Sequence, residues 1–501
     1  MNRAEPTAGP DEPGAETGDE LRVWARSGAM FLTGRADGPP LAPPPGFVHR
    51  LQAIGEAVVD RSAAVGRRVE VDVVALLGER AALAGLQRRG DVSCGGSARL
   101  LRAVDGWLAV NLPRPDDVDL LPAWLAGQAF DAPPSPVAGG AAARPVPAGG
   151  EPERFPHRQR GQSAPAPRPG PSDSAAPGAA TTIDGVAAGL WEAIAAAVAT
   201  APAEALAEQA AVLGLPVARL PEAPRAVVLG RGPFAGLPVV ATGMDAGRAG
   251  TPPPHRPARP LVVDLSSLWA GPLGTHLLQA AGARVVKVES LHRPDGARYG
   301  PSAFFDLLHA GQESVALDFR SPDGRADLRR LVGAADVVVE ASRPRALEQL
   351  GINAEAVLRE AAVTGRGPRV WLSITGYGRA APGRDRVAFG DDAAVAGGLV
   401  AWDGTGPCFL ADAAADPCSG LVAAAAGLAA LASGGRWLVD VAMSDVAAHL
   451  AGPARGHRPS PGAPSPERPR ARTPAGPAAH LGEHTDALLA EFRPRPPGQR
   501  P

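Results

Sequence analysis

The chain has 501 residues, of which 61 are Gly, 55 are Pro and 45% are hydrophobic. These proportions exclude wholesale disorder and predict compact domains joined by Pro-rich linkers. The 50 basic and 52 acidic residues give a formal net charge of −2, so we expect neither nucleic acid nor a membrane surface as a partner. The three cysteines are too few for a disulfide framework, and the sequence begins without an apolar signal segment. Both features predict a cytoplasmic protein.

The first half of the chain changes composition several times, and each change predicts a boundary. We divide it into a disordered tail, an α+β portion, a Pro/Ala/Gly-rich linker, a helical segment and a second linker: 1–19, 20–130, 131–180, 181–245 and 246–257. In the α+β portion, Asp105-Gly106 between two apolar runs predicts a β-hairpin. In the helical segment, Ala-rich sequence with helical spacing and one Pro break predicts two consecutive helices.

Residues 258–452 show the most regular pattern. Buried-strand runs alternate there with helical stretches, and the runs are LVVDL (261–265), RVVKVE (284–289), SVALDF (314–319), DVVVE (336–340) and RVWLSITGYG (369–378). Such alternation predicts an α/β fold with a parallel, Rossmann-like sheet and right-handed crossovers. Ligands of these sheets bind beyond the carboxyl ends of the strands. A Pro/Arg-rich linker at 453–477 and a C-terminal helix and tail at 478–501 complete the division.

Several pieces of this region match one known family in order: VVDLSSLWAGPLGTHLLQAAGARVVKVE, SVALDFRSPDGRADLRRLVGAADVVVE, RPRALEQLG, LSITGYG and DPCSGLVAAAAGLAAL, followed by LGEHTDALLAEF at 481–492. On these motifs, residues 258–452 resemble the large domain of the family III CoA-transferases, the CaiB/BaiF group. The resemblance implies a Rossmann-like large domain with a smaller α+β portion. It also implies an enzyme acting on an acyl-CoA and a small carboxylic acid. Coenzyme A thioester would be its substrate, with no separate cofactor and no metal. The resemblance also implies an interlocked homodimer. If the halves are reordered, pairing of the two portions within one chain is the alternative.

The amino-terminal portion resembles a later part of the same family. SGAMFLTGRADGPPL (27–41) is similar to the segment before the family's catalytic aspartate, ARLLRAVDGWLAV (98–110) to its small domain, and residues 183–220 to its return to the large domain. In addition, residues 27–86 parallel residues 396–452. The chain therefore resembles a gene fusion of two trimmed copies, or a permutation with overlap. Similarity of Ala/Gly/Leu-rich composition is the alternative.

The resemblance points to one catalytic residue. Transfer of CoA between carboxylic acids needs a carboxylate nucleophile at a dry, donor-rich position. The family carries this aspartate in a D-x-x-x-G step that opens a helix, and Asp416-Pro417-Cys418-Ser419-Gly420 matches the step, so Asp416 is assigned as catalytic. The residues alone also allow Asp416 to be a helix N-cap ahead of Pro417. Asp412 is a poorer match because no glycine follows four residues later, and in the other copy His49 takes the aspartate position, which predicts a silent copy.

CoA is a phosphate-rich ligand, so its site should offer backbone amides at a helix N-terminus and arginines. The loop Ala270-Gly271-Pro272 would supply the amides. Arg298 fits the family's G-D-x-x-R step loosely, and Arg386 lies where a basic residue often precedes the active-site loop. Gly420 would let the substrate approach the backbone closely. A common helix-opening turn and plain surface arginines are the alternatives.

Departures from the family bear on activity. HAGQES (309–314) replaces its N-R-G-K-R-S step and ASRPR (341–345) its N-F-R-P-G step. Phe389 stands where the family's racemases carry a histidine, and Asp391 and Asp392 beside it predict a solvated helix start or, alternatively, a carboxylate pair. We predict a CoA-transferase acting through an aspartyl anhydride and an aspartyl-CoA thioester. The alternatives are a weakened acyl-CoA-binding or regulatory paralogue, or another acyl-CoA enzyme such as a racemase or lyase.

Overall fold

The computed structural model describes residues 14–128, 188–244, 259–453 and 464–493. The elements of the first two ranges are α1 (Gly14–Arg26), α2 (Phe47–Val65), α3 (Glu79–Ala84), β1 (Ala98–Arg102), β2 (Trp107–Asn111), α4 (Pro115–Asp119), α5 (Leu121–Trp124), α6 (Ala188–Val198), α7 (Ala203–Leu213), β3 (Val217–Arg219) and β4 (Val240–Gly243). Those of the last two are β5 (Leu261–Asp264), α8 (Ala270–Ala280), β6 (Arg284–Ser290), α9 (Ser302–His309), β7 (Glu313–Leu317), α10 (Pro322–Ala334), β8 (Val337–Glu340), α11 (Pro344–Gln349), α12 (Ala354–Thr364), β9 (Val370–Thr375), α13 (Gly390–Ala396), β10 (Val400–Trp402), β11 (Pro407–Phe409), α14 (Ala415–Ser433), β12 (Trp437–Ala442), α15 (Met443–Ala451) and α16 (Thr485–Glu491).

A seven-stranded sheet in the order β4-β12-β9-β8-β5-β6-β7 forms the centre of the molecule. Every pairing is parallel except that of β4 with β12. The runs of Val, Leu and Ile in β5, β8 and β9 are buried along their whole length, as expected for strands covered on both faces. The predicted α/β class with a parallel sheet is confirmed.

The two portions of the chain share this sheet and its core. β4 belongs to the predicted helical segment, yet it pairs antiparallel with β12 from Val240 opposite Asp440 to Gly243 opposite Trp437. One apolar cluster also includes Trp24 and Phe47 of the amino-terminal portion together with residues of α8 and α14. The amino-terminal and carboxy-terminal portions therefore pack against each other within one chain.

α14 is the central helix of the fold. Its length and apolar composition would be sufficient to cross a membrane, but most of it is buried inside the protein, which is typical of a core helix. It packs between α2 and α8. Small residues permit this approach: a Cβ on Gly420 would lie 2.5 Å from the Ala270 carbonyl oxygen and 3.0 Å from Leu273 Cβ in α8.

The smaller portion is built around a three-stranded antiparallel sheet in the order β1-β2-β3. Its hairpin turns at Asp105-Gly106, where the Ala103 amide donates to the Gly106 carbonyl at 3.0 Å, so this prediction is confirmed. The two predicted helices are α6 and α7, which pack on this sheet around Trp124 and Trp191.

Two predicted segments differ in detail from the structure. α1 begins at Gly14, so the end of the predicted tail is helical. The predicted linkers at 131–180 and 246–257 lie outside the described residues. Residues 464–477 contain no helix or strand, but they are fixed to the fold rather than loose: the Glu467 amide donates to Ala25 at 2.9 Å, and Arg472 binds both carboxylate oxygens of Glu79 at 2.6 and 2.9 Å.

The internal similarity of residues 27–86 to 396–452 is reflected only partly in the structure. α2 and α14 are each 19 residues long and lie at corresponding positions of the two stretches. Residues 69–74, by contrast, form no strand, whereas their counterpart is β12.

Candidate active site

Asp416 is the second residue of α14, because the helix begins at Ala415. It is therefore inside the first turn and is not the N-cap. Its side chain is partly exposed, in contrast to most of the helix. The backbone of Gly390 hydrogen bonds to its carboxylate, and a Cβ on Gly390 would lie 2.4 Å from Asp416 Oδ2. The absence of a side chain at Gly390 thus lets the amide reach the carboxylate.

The segment before α14 is strained. Ala411 and Ala413 have φ values of 51° and 44°, in the left-handed region that non-glycine residues seldom adopt. Each such residue costs on the order of 1–3 kcal/mol and persists only where its surroundings hold it. The Ala411 amide donates to Thr33 Oγ1 at 3.0 Å, and the Asp416 amide donates to Ala413 at 2.8 Å. Strain of this kind concentrates at functional sites.

Arg80 of α3 holds the residue between the two strained alanines. Its Nε lies 2.9 Å from Asp412 Oδ2, and a second guanidinium nitrogen bonds the other carboxylate oxygen. Asp412 is fully buried. The guanidinium also packs over the ring of Trp269, 5.5 Å from its centroid. The sequence alone did not indicate Arg80, which lies 332 residues from Asp412 and in none of the family motifs.

The carboxylates of this cluster change each other's ionisation. Burial raises the pKa of Asp416 to about 7, the Arg80 charge opposes this, and the Asp391 and Asp412 charges add to it. Burial and the Asp412 charge likewise raise the pKa of Asp391 to about 7. The prediction of a solvated helix start at Asp391 and Asp392 is wrong, since these residues are only 7% and 0% exposed.

Asp392 is tied to the amino-terminal portion. Its Oδ1 accepts from Asn111 Nδ2 at 2.9 Å and from the Phe389 amide at 3.0 Å. Burial raises the pKa of Asp392 well above its ordinary value, which these two hydrogen bonds only partly offset. Residues from both portions therefore line the same site.

Other atoms of the protein occupy the space beside the two glycines that were assigned to ligand binding. Gly271 lies in the first turn of α8, buried with Ala270 and Pro272, and a Cβ there would lie 2.1 Å from Ser266 Cβ and Oγ. Pro272 has no N–H to offer. Gly420 faces Ala270 and Leu273, so the close approach that it permits is that of α8. The prediction that Gly420 admits the substrate is corrected on this steric ground.

The two predicted arginines already have partners. Arg298 donates to the Glu289 carboxylate at 2.9 and 2.6 Å and packs over Phe305, 4.3 Å from the ring centroid. Its charge is thus neutralised by a buried carboxylate, which argues against its predicted role as a phosphate ligand. Arg386 packs over Tyr377 at 3.9 Å and makes one long hydrogen bond of 3.4 Å to the Val217 carbonyl.

Polar side chains of residues 309–314, which replace the family's basic step, also have partners within the protein. His309 is buried and its Nδ1 lies 2.8 Å from Gln312 Oε1. Burial lowers the pKa of His309 well below its ordinary value, so the imidazole is neutral. Glu313 accepts from Arg284 at 2.7 and 3.0 Å. This step offers no free cation to a phosphate.

The strand order identifies where a ligand of such a sheet would bind. β6 and β7 follow β5 on one side and β8, β9 and β12 lie on its other side, so the order reverses between β5 and β8. Loops that diverge at such a point leave a crevice at the carboxyl ends of the strands. Arg343 follows β8 there, and burial and the charges of Arg345, Arg114 and Arg293 lower its pKa. Within the described ranges no carboxylate forms an ion pair with Arg343.

Comparison with known proteins adds an independent finding. A family model described as CoA-transferase family III matches residues 260–482. The succinyl-CoA:D-citramalate CoA-transferase of Chloroflexus aurantiacus is 33% identical over 161 residues, which cover 30% of this chain and 39% of that protein. A probable fatty acyl-CoA transferase of Mycobacterium tuberculosis is 31% identical over 222 residues, covering 40% and 54%. The matched region therefore spans about two fifths to half the length of these curated relatives. The crystal structure of a CaiB/BaiF family protein from Brucella suis aligns with 29% identity and a TM-score of 0.35, covering 38% of this chain and 54% of that one.

Proposed function

We propose, from the match of residues 260–482 to a family model of CoA-transferase family III, that the chain moves CoA from an acyl-CoA to a carboxylic acid, with Asp416 as the nucleophile. The observation that carries the proposal is the position of Asp416. It is a partly exposed carboxylate in the first turn of a buried helix, next to a backbone amide and a strained loop. This chain covers only part of its relatives, so the donor and acceptor acids are left open.

The proposed reaction has three covalent intermediates: an anhydride, an aspartyl-CoA thioester and a second anhydride. A carboxylate oxygen of Asp416 attacks the thioester carbonyl, and CoA leaves as its thiolate, which gives a mixed anhydride. The thiolate then attacks the aspartyl carbonyl, so the donor acid leaves as a carboxylate and an aspartyl-CoA thioester remains. The acceptor carboxylate attacks this thioester, CoA leaves again as its thiolate, and a second anhydride forms. The thiolate opens it at the acceptor carbonyl, releasing the new acyl-CoA and the free Asp416 carboxylate.

The surroundings of Asp416 suit this chemistry. The attacking group must be ionised, and its pKa of about 7 leaves a substantial carboxylate fraction near neutral pH. The Gly390 hydrogen bond and the dipole of α14 both favour negative charge at this position. The same two features would stabilise an oxyanion that develops on the aspartyl carbonyl.

CoA itself would lie at the crevice between β5 and β8. Arg343 is the best candidate for a phosphate ligand, because neighbouring arginines oppose its charge and a phosphate would relieve that repulsion. Arg298 is the matched comparison, since Glu289 already neutralises it. We expect Arg343→Ala to raise the KM for acyl-CoA by about tenfold or more, the loss of one charge-assisted bond. Arg298→Ala should change this KM little.

The decisive experiment traps the anhydride or thioester. The protein is incubated with a panel of acyl-CoAs and hydroxylamine, and the peptide containing Asp416 is examined by mass spectrometry for an aspartyl hydroxamate. We expect the adduct with at least one donor and none in Asp416→Ala. Asp323 provides a matched control because it is likewise the second residue of its helix, α10, but lies on the surface. Absence of the adduct with every donor, or equal turnover in Asp416→Ala and Asp323→Ala, would contradict the proposal.

One observation favours a second activity. The buried Asp391 faces the same cluster as Asp416 and has a similar pKa of about 7. Two carboxyl groups of this kind can hand a proton to and from a substrate carbon. A racemase-like enzyme would exchange the α-proton of a bound acyl-CoA for deuterium in D2O. Mass spectrometry of the recovered acyl-CoA tests this, and exchange abolished by Asp391→Asn would replace the transferase proposal with an acid/base one.

A further inference from the structure

The amino-terminal portion contributes a cation, Arg80, to the site, and this inference rests on the proposed function. We infer that Arg80, which Asp412 and Trp269 fix in place, is a positioning residue that holds the loop before Asp416 and supplies positive charge beside the nucleophile. The residue comes from α3, in the portion that precedes the family domain. The activity of the carboxy-terminal domain would thus depend on a side chain supplied by the rest of the chain.

Two residues fix the Arg80 guanidinium. Asp412 accepts from two of its nitrogens, so the pair is a bidentate fork of the kind that is strongest and most directional. The ring of Trp269 lies beneath it at 5.5 Å. The Arg80 side chain nevertheless remains 31% exposed, so the guanidinium is at the edge of the site and not sealed away.

The charge balance explains why one arginine matters. Asp391, Asp412 and Asp416 are three carboxylates of one cluster, and the Arg80 charge opposes the rise that burial and the other two carboxylates produce in the pKa of Asp416. The other titratable groups at the cluster include Asp392, which the Asp391 charge affects, Cys418, which the Asp416 charge affects, and Cys94. Asp391, Asp412, Arg80 and Arg89 all act on Cys94. Both thiols are buried, and burial and the nearby carboxylates raise their pKa values, so neither carries charge near neutral pH.

Asp412 and Arg80 act on Asp416 in opposite senses. The Arg80 charge favours ionisation of Asp416 and the Asp412 charge disfavours it. Removal of the arginine should therefore make Asp416 harder to ionise, and neutralisation of Asp412 should make it easier. A merely structural role for the pair would give no such opposition, because both substitutions would loosen the same loop.

α3 is in turn anchored from outside the site. Glu79, the neighbour of Arg80, is 2% exposed and accepts from Arg472 at 2.6 and 2.9 Å. Arg472 also contacts His276 of α8 at 3.0 Å. This bridge between the carboxy-terminal segment, α3 and α8 limits movement of α3 relative to the large domain. The position of the guanidinium is thus defined from both sides.

The test is the pH dependence of hydroxylamine trapping at Asp416, measured by mass spectrometry on the full chain. We expect Arg80→Met to move the half-maximal pH upward by about one unit or more, the shift typical of losing an opposite charge beside a carboxylate. Asp412→Asn should move it downward. Arg88→Met is the matched control, because Arg88 also packs over an aromatic ring, that of Phe31, but bonds only backbone carbonyls. Its midpoint should equal that of the wild type.

Further variants keep the inference falsifiable. Arg80→Lys retains the charge without the fork, and its midpoint should lie nearer to the wild type than that of Arg80→Met. If Arg80→Met does not fold, as judged by circular dichroism, a downward shift in Asp412→Asn supports the inference and an unchanged midpoint overturns it. The inference is also overturned if Arg80→Met has the same midpoint as the wild type, or if Arg80→Met and Asp412→Asn shift the midpoint in the same direction. Either result would still be consistent with Asp416 as the nucleophile. A wild type that forms no adduct refutes the proposed function, and the inference with it.

Discussion

Substitution of Gly420 by Ala tests the correction to its role and the closeness of the two central helices. In the structure the new Cβ would lie 2.5 Å from the Ala270 carbonyl oxygen and 3.0 Å from Leu273 Cβ. The helices also meet one turn away, where a Cβ on Gly274 would lie 3.3 Å from the Gly420 carbonyl oxygen. The backbone of α8 would therefore have to move. Overpacking of this kind costs about 1–3 kcal/mol, and the gain from replacing a helical glycine returns roughly 0.5–1 kcal/mol.

We therefore expect Gly420→Ala to lower the free energy of unfolding by about 1–2 kcal/mol. Gly333→Ala is the matched control, since Gly333 is also helical but has no atom within 4 Å of the added Cβ. It should be neutral or stabilising by up to about 1 kcal/mol. Urea unfolding followed by tryptophan fluorescence and circular dichroism measures both. A Gly420→Ala protein as stable as the wild type, with a raised KM for acyl-CoA, would refute the packing argument and restore the substrate role.

Three further predictions concern buried charges. Arg298→Ala should cost roughly 3 kcal/mol of unfolding free energy, because the buried Glu289 carboxylate loses its guanidinium partner and keeps the Asp295 amide at 2.9 Å. An unchanged urea midpoint would contradict this. Burial and the nearby Arg472 lower the pKa of His276 to about 4. As the pH falls, the imidazole is therefore protonated in the unfolded chain before it is protonated in the folded protein. The free energy of unfolding should decrease, by at most about 3 kcal/mol, as the pH drops from about 6.5 to about 4. His276→Gln should flatten that part of the urea-midpoint profile, and an identical profile would exclude the histidine as its source. Lys287, the one lysine of the chain and 2% exposed, should resist amine-directed labelling in the native protein and react in urea, as read by peptide mass spectrometry; native labelling at Lys287 would mean that the Asp295 pair opens readily.

The sequence predicted the sheet well because its signal is local. The apolar runs that form β5, β6, β7, β8 and β9 are continuous and have clear ends. Such runs are typical of strands buried on both faces of a parallel sheet. The same holds for the hairpin at Asp105-Gly106, where the turn residues specify the geometry. The paired position of β4 was missed, because three of its four residues are exposed and its short, mixed sequence carries no clear period.

The sequence predicted the candidate site only where a single residue stands in a recognisable motif. Asp416 stands in a motif, but its surroundings are set by Arg80, and no local pattern connects residues 332 positions apart. Arg298 also stands in a motif, yet the sequence did not reveal that Glu289 neutralises it. Acidic residues at a helix start have the same pattern whether water or protein covers them, which is why the burial of Asp391 was not foreseen.

The pairing of α2 with α14 has a consequence for synthesis of the protein. The face of α2 that contains Phe47, Val48 and Leu51 is covered by a helix that begins only at Ala415. During translation this apolar face stays uncovered while more than 300 further residues are synthesised, because α14 leaves the ribosome only after them. A chain with such distant contacts folds slowly and exposes aggregation-prone surface meanwhile. We therefore expect its yield in cells to depend on chaperones that shield α2 until the second half has been made.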